Sequence, residues 1–301
     1  MLRHRDGSRS RSLLQALLVT FLWSTSYVLA KIGLQRLPPL SFAAYRYIIA
    51  SAALLALAAT RRDGIFAQGK KSLWKLFVLG LLGYSVAQGL QFVGLSRLPA
   101  VSVTFLLNFT PLIVVLLGAV LLQEFPSLLQ LAGVALALVG AYFFFPNAVS
   151  GSEFFGIIVT LLSGSGWAAY MVLNRMLLTR REAFDALSLT AITMLFGALV
   201  LFASALVIEG FVGLSLEDLV IILWMSLANT ALAFVLWNSC LEQMRAFELS
   251  ILQNTMLIQI AVLAWAFLGE ALTSVKILAM ITVFVGILMV QVRRPEAKRS
   301  S

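Results

Sequence analysis

The side chains that could do chemistry in this chain are tryptophans, tyrosines and amides placed one helical turn apart within long apolar segments. Tyr27 follows Trp23 by four residues and Gln88 follows Tyr84 by four, so each pair shares one face of a helix. Amide and ring N–H groups inside hydrocarbon need partners, so such faces turn towards a bundle interior or a water-filled cavity. Binding of a small polar molecule is the chemistry that this pattern favours, with interhelical packing as the alternative for each residue. The predicted binding residues are Trp23, Tyr27, Tyr84, Gln88, Asn108, Trp167, Tyr170, Asn229, Trp237 and Asn254.

The residue types in this chain do not favour catalysis, cofactor binding or metal binding. The single histidine, His4, and the single cysteine, Cys240, cannot form a ligand cluster. Ser163 and Ser165 lie in a glycine-rich stretch, but a serine nucleophile needs a neighbouring base, and no histidine lies in an apolar segment. We therefore predict no catalytic residue, no cofactor, no metal site and no enzyme activity.

Charged residues within or beside the apolar segments leave alternatives open. Lys31 and Arg46 lie inside apolar segments, where each could bind a substrate carboxylate, reach the lipid headgroups or form an intraprotein hydrogen bond; the last two readings are favoured. Glu124 and Glu270 precede Ser127 and Thr273, where helix starts need caps, and capping is favoured over ion binding. None of the 13 acidic residues falls in the middle of an apolar segment, which predicts transport without obligatory proton coupling.

Composition requires that lipid surrounds most of the chain. Hydrophobic residues make up 61% of the 301 and charged residues 12%, with a mean hydropathy of +0.98. A soluble domain has about a quarter of its residues charged. The net charge of +9 comes from short basic clusters between apolar segments, which is typical of membrane topology and not of nucleic-acid binding.

Ten apolar segments are long enough to span a bilayer. If the N-terminus is cytoplasmic, 17 of the 22 Lys and Arg residues face the cytoplasm and three face outwards. The chain is therefore predicted to be a multi-pass protein of the bacterial inner membrane with both termini in the cytoplasm. The predicted spans are Leu13–Leu34, Leu40–Ala59, Leu73–Ser96, Ala100–Leu122, Leu128–Phe145, Phe154–Leu178, Ala186–Ile208, Leu219–Glu242, Leu249–Leu268 and Val275–Val292.

The second half of the chain repeats the first at a shift of 144 to 146 residues. Trp23 corresponds to Trp167, and Asn108 to Asn254. Five helices per repeat, an odd number, give the two halves opposite orientations in the membrane, as in many secondary transporters. The predicted fold is all-α and integral to the membrane, with repeats at 13–145 and 154–292 and basic tails at 1–12 and 293–301.

The residues also resemble a known family. The motif Trp23-x3-Tyr27-x3-Lys31 is similar to the first half of an EamA domain, and the run 98–145, with Asn108 and Gly140, resembles its second half. The chain is identified as a member of the ten-helix transporters of the drug/metabolite transporter superfamily. Leu257 departs from the pattern, because it replaces the proline that Pro111 supplies in the first repeat.

The resemblance implies transport of amino acids and related small metabolites, more often by export than by import. A multidrug or other metabolite carrier is the nearest alternative, and a non-transporting scaffold is an alternative of another class. The expected partners are a small-molecule substrate and the lipid bilayer, with no nucleic acid, and the sequence leaves a homodimer open.

Overall fold

The computed structural model of the chain describes residues 3–60, 73–110, 112–113, 127–145, 150–179, 186–244, 249 and 252–291. These ranges consist of helices and their connections, and no β-strand occurs within them. The first five helices are α1 (Arg3–Gly33), α2 (Pro39–Ala59), α3 (Leu73–Arg97), α4 (Ala100–Leu107) and α5 (Leu128–Phe144). The next five are α6 (Gly151–Thr179), α7 (Ala186–Ile208), α8 (Leu216–Gln243, in three consecutive pieces), α9 (Thr255–Leu268) and α10 (Ser274–Gln291).

The predicted all-α membrane fold is confirmed. Within the described residues, six helices are long and apolar enough to span a membrane: α1, α2, α3, α6, α7 and α8. Large apolar side chains such as Leu14, Trp74, Phe143 and Ile258 are more than half exposed on the outside of the bundle, as expected where lipid is the solvent. The described parts of α5, α9 and α10 are shorter apolar helices, and the second half of the predicted span Ala100–Leu122 lies mostly outside the described residues.

The start of α8 differs from the predicted span by three residues for a local reason. α8 begins at Leu216 and not at Leu219, because Ser215 and Asp218 form a reciprocal capping box. The Ser215 hydroxyl accepts a hydrogen bond from the backbone N–H of Asp218, whose carboxylate accepts one from the N–H of Ser215. The polar side chains of this turn satisfy backbone groups at the helix start, which a count of apolar residues does not detect.

The third helix of each repeat contains a π-helical segment at the same place. In α3 it covers Leu81–Gly89, and in α8 it covers Leu227–Leu232. The two segments begin 146 residues apart, which is the shift of the sequence repeat. π-helical turns inside α-helices are rare and occur often at functional sites, so their repetition marks these two helices as equivalent.

Carboxylates tie helix starts of the first repeat to the second repeat. The Glu270 carboxylate, between α9 and α10, accepts hydrogen bonds from the N–H groups of Ala100 and Val101 at 2.7 and 3.1 Å. The predicted capping role is therefore correct but the predicted helix is wrong, since the start of α10 is capped by Thr273. Glu124 lies outside the described residues.

A second carboxylate acts in the same way at the start of α2. Glu209, at the end of α7, accepts hydrogen bonds from the N–H groups of Leu40 and Ser41 at 3.0 and 2.7 Å. Negative charge at a helix N-terminus is stabilising, because it satisfies free N–H groups and opposes the helix dipole. Both contacts lie at the end of the bundle that is predicted to face outwards.

Candidate binding cavity

A cavity of about 70 Å³ lies at the centre of the bundle, between the two repeats. That volume accommodates several water molecules. Both halves of the chain contribute to its wall. The lining residues are Trp23, Ser26, Tyr27, Arg46, Tyr47, Gln88, Gln91, Thr104, Leu107, Asn108, Thr110, Ser163, Trp167, Phe234, Gln253, Asn254 and Met256.

Four aromatic rings meet at one side of the cavity. Trp23 of α1 packs edge-on against Trp167 of α6, with ring centroids 5.8 Å apart. Its ring also contacts Phe234 at 5.3 Å and Trp237 at 4.9 Å. The two tryptophans that the repeat makes equivalent are therefore neighbours in space, and mutual packing at these distances fixes the orientation of the rings.

Polar side chains line the rest of the wall, and several of their atoms have no partner. The Trp23 Nε1, Asn108 Oδ1 and Asn254 Nδ2 atoms are buried and form no hydrogen bond within the described part of the chain. The orientation of the Asn108 amide is fixed, because its Nδ2 donates to the Thr104 carbonyl at 2.8 Å. Buried polar atoms normally have partners, so three lining residues with unpartnered atoms in the described part of the chain are suited to binding a polar ligand.

Two hydrogen bonds join lining residues to each other. The Trp167 Nε1 donates to Gln253 Oε1 at 3.2 Å, and the Tyr47 hydroxyl donates to Gln88 Oε1 at 2.8 Å. Each bond joins two helices, so the side chains are positioned before any ligand arrives.

Six of the ten predicted binding residues line the cavity: Trp23, Tyr27, Gln88, Asn108, Trp167 and Asn254. The other four are fully buried behind it. The Tyr84 and Tyr170 hydroxyls form a hydrogen bond with each other at 3.0 Å, and Trp237 supports the ring of Trp23. Substrate contact remains a prediction for all ten.

Asn229 is the fourth residue behind the cavity, and its contacts connect the repeats. Its Nδ2 donates to the Leu22 carbonyl and, at 3.0 Å, to the Thr25 hydroxyl. The alternative reading for intramembrane amides, a hydrogen bond between helices, therefore describes Asn229 directly.

Both intramembrane cations form intraprotein hydrogen bonds, as the favoured reading predicts. The Lys31 Nζ donates to the carbonyls of Leu95 and Leu98 at 2.9 and 3.0 Å, at the end of α3. Arg46 is different, because it is 3% exposed and also lines the cavity. An ionisable residue inside a membrane span indicates a functional site by default, and that signal could have placed Arg46 among the predicted residues.

Tyr47, Gln91 and Phe234 also line the cavity and are absent from the prediction. Gln91 follows Gln88 by three residues, and this spacing places both on one helix face. Tyr47 and Phe234 lie in mainly apolar segments, and the sequence does not distinguish a ring that faces a cavity from one that packs against another helix.

Known proteins similar to this chain are membrane transporters. A sequence model of the EamA-like transporter family matches residues 10–145 and again residues 154–292. The chain is 30% identical to an "Uncharacterized transporter" of Archaeoglobus fulgidus, over 76% of this chain and 79% of the relative. It is 24% identical to a "Probable amino-acid metabolite efflux pump" of Salmonella typhimurium, over 90% and 92% of the two chains.

A further relative and a solved structure extend the likeness. The S-adenosylmethionine/S-adenosylhomocysteine transporter of Chlamydia muridarum is 23% identical over 83% of this chain and 82% of its own. A crystal structure superposes with a TM-score of 0.69 over 93% of this chain and 96% of that one, at 18% identity. At that identity the likeness concerns the fold alone.

Proposed function

This chain belongs to the EamA-like transporter family, and from that premise we propose that it exports amino acids or related small metabolites by alternating access. The protein is a multi-pass membrane transporter, and the family match across both halves confirms the predicted resemblance and the two-repeat architecture. The single observation that carries the proposal is the central cavity, which both repeats line and which contains free polar atoms beside packed aromatic rings.

The substrate class follows from the cavity wall and from the relatives. A ligand pocket commonly combines apolar and aromatic walls with a few polar groups that fix orientation. Relatives named for amino-acid metabolites and for S-adenosylmethionine support substrates with the polar groups of an amino acid. Export is proposed because two relatives are named as efflux pumps.

Alternating access is supported by the equivalence of the two halves. Inverted repeats can exchange conformations, which opens a central site to one side and then to the other. α3 and α8 have π-helical segments at equivalent positions and both contribute to the cavity wall through Gln88 and Phe234.

Transport without obligatory proton coupling is part of the proposal. No carboxylate occurs among the described residues that line the cavity. The described Glu209 and Glu270 carboxylates are occupied by helix starts. Glu248 is the acidic residue that would argue most for proton coupling, because it lies beside the start of the ninth predicted span. It lies outside the described residues.

The transport test uses purified protein in liposomes and no pH gradient. With unlabelled L-leucine or L-phenylalanine inside, labelled amino acid outside should accumulate by exchange. Flux that appears only with an imposed pH gradient, and is lost in Glu248→Gln, would show proton coupling. Movement of cationic drugs without movement of amino acids would favour the multidrug carrier, and absence of all flux would favour a scaffold.

A cysteine-accessibility test locates the site. On a Cys240→Ser background, single cysteines at Trp23 and Asn108 should react with water-soluble thiol reagents, and substrate should slow the reaction. Tyr84→Cys and Trp237→Cys are the matched controls, because both side chains are fully buried outside the cavity wall. Equal inertness at all four positions in folded protein would contradict a water-accessible cavity.

The membrane orientation is a separate proposal. We place the protein in the bacterial inner membrane with both termini in the cytoplasm, as the distribution of basic residues predicts. Reporter fusions after Gln68 and after Asn147 should report opposite sides of the membrane. The same side for both would show that the helix count between them is wrong.

A further inference from the structure

Arg46 is a buried charge without a counter-charge. Its side chain is 3% exposed in the middle of α2. Within the described residues no carboxylate lies within 4 Å of it, and the ion pairs found there join Arg36 to Glu217 and Asp218. A charge inside a membrane span is costly and is normally paired or placed in a functional cavity.

Neutral dipoles and aromatic rings hold the guanidinium in place. Its Nε donates to the Thr230 hydroxyl at 2.6 Å, and one terminal nitrogen donates to the Asn229 carbonyl at 3.2 Å. The rings of Tyr47 and Phe92 lie 5.5 and 5.6 Å from its central carbon. These contacts use two of the five N–H groups of the guanidinium, and the side chain lines the cavity.

The cavity offers two more free donors and one free acceptor. Trp23 Nε1 and Asn254 Nδ2 are buried donors without partners in the described part of the chain, and Asn108 Oδ1 is such an acceptor. The free groups of this wall are therefore mostly donors and carry one formal positive charge. Such a set is complementary to an oxyanion that accepts several hydrogen bonds.

Lys31, the other intramembrane cation, has a different environment. Its ammonium donates to two backbone carbonyls at the end of α3, and it does not line the cavity. The shift of 144 to 146 places the residue equivalent to Arg46 among Thr190, Ala191 and Ile192, all of which are buried and uncharged. The positive charge at the cavity therefore belongs to one repeat only.

We infer that the substrate carries a carboxylate and that Arg46 binds it, with the guanidinium held in position by Thr230. A guanidinium presents parallel N–H groups that match the two oxygens of a carboxylate. The inference rests on the proposed transport function and narrows its substrate class: amino acids and other small carboxylates are preferred over their amides and over the decarboxylated amines.

The test compares acids with compounds that lack the negative charge. The probes are L-phenylalanine, L-phenylalaninamide and phenethylamine, with L-leucine, L-leucinamide and isoamylamine as a second series. Uptake into liposomes and half-saturation of thermal stabilisation are measured for each. The wild-type protein should favour at least one acid over its amide by about ten- to hundredfold, as expected for a hydrogen bond to a charged group.

Variants assign that preference to Arg46. Arg46→Gln should remove the acid-to-amide preference and leave binding of the amide unchanged, and Arg46→Lys should restore part of it. Thr230→Val keeps the charge of Arg46 but removes the hydroxyl that accepts its Nε hydrogen bond, so the acid-to-amide preference should fall several-fold. Lys31→Gln is the matched control, because it removes the other intramembrane cation and should leave the preference unchanged.

The possible outcomes separate this inference from the transport proposal. Equal transport of acids and amides by the wild-type protein, or an unchanged preference in folded Arg46→Gln, overturns the role of Arg46 while transport stands. If Arg46→Gln does not fold, Thr230→Val and the wild-type comparison decide. If the wild-type protein moves none of the six probes, the proposed substrate class itself fails and this inference fails with it.

Discussion

The third helices of the two repeats, α3 and α8, share a backbone feature and differ in the side chains that they present. Each has a π-helical segment that begins at an equivalent residue. At the next equivalent positions α3 has Gln88 and Gln91, whereas α8 has Phe234 and Trp237. Gln88, Gln91 and Phe234 all line the cavity, so one wall is polar where its counterpart is aromatic.

This difference separates two requirements of a transporter. Exchange between two conformations needs halves with equivalent backbones, because the same motion must be available to each. Selectivity needs a wall that is not symmetric, because a substrate with a polar end and an apolar end binds in one orientation. The repeats have the first property in their helices and the second in their side chains. Arg46 shows the same difference, because the corresponding position of the second repeat is uncharged.

The largest expected effect comes from a substitution that disrupts the packing of α3 against α7. A Cβ at Gly197 of α7 would lie 2.3 Å from the Gly80 carbonyl oxygen of α3. Gly197→Val should therefore cost about 3 kcal/mol or more, the upper part of the range for overpacking, and yield little folded protein in size-exclusion chromatography. Gly213→Val is the control, since no heavy atom lies within 4 Å of its Cβ position. Equal yields of the two variants would contradict the close approach of α3 and α7.

A smaller effect should distinguish the aromatic wall from the polar one. Phe234→Leu loses ring contacts with Trp23 and Tyr84, at 5.3 and 5.2 Å, and should cost about 1–3 kcal/mol of stability. Gln88→Leu loses one hydrogen bond with Tyr47 and should cost about 0.6 kcal/mol. Thermal unfolding in detergent measures both, and the reverse order would show that α8 does not carry the greater share of packing.

The two equivalent asparagines test the comparison between the repeats by their effect on transport. Asn108 and Asn254 line the cavity, and each has a buried polar atom without a partner in the described part of the chain, so each amide is only partly satisfied without a ligand. Asn108→Leu and Asn254→Leu should lower the transport rate at subsaturating substrate about tenfold, as for loss of one strong hydrogen bond. Their unfolding temperatures should stay near the wild-type value. A large loss of stability with normal transport would assign the amides to packing.

Another small effect concerns the carboxylate that joins the repeats. Glu270→Gln weakens the cap on Ala100 and Val101 and should cost about 1 kcal/mol. Glu217→Gln is the control, because that side chain is 76% exposed and its ion pair with Arg36 is at the surface, where such pairs contribute little. Unequal unfolding temperatures are expected, with Glu270→Gln lower, and equal values would remove Glu270 from the contacts that hold the repeats together.

Symmetry in the sequence predicted much of the site. The correspondence of Trp23 with Trp167 and of Asn108 with Asn254 selected four residues that the structure places on the cavity wall. Leu257, where the sequence lacks the expected proline, has the additional backbone hydrogen bond that this absence predicts, from its N–H to the Asn254 carbonyl at 3.2 Å. Such features depend on residue type and spacing along one helix, which the sequence contains in full.

The sequence by itself determined a helical membrane fold, because a helix is how an apolar segment satisfies its own backbone hydrogen bonds in lipid. It also determined the division into two repeats, because residues recur at a shift of 144 to 146. Which face of each helix turns inwards was decided by tertiary packing. Tyr84 and Tyr170 are as polar as Tyr27, yet they bond to each other behind the cavity. Glu270 caps a helix start 170 residues earlier in the chain. Partners so distant in sequence meet only when the helices of the two repeats pack together, since a helical period specifies neighbours along one helix and says nothing of the helix across from it.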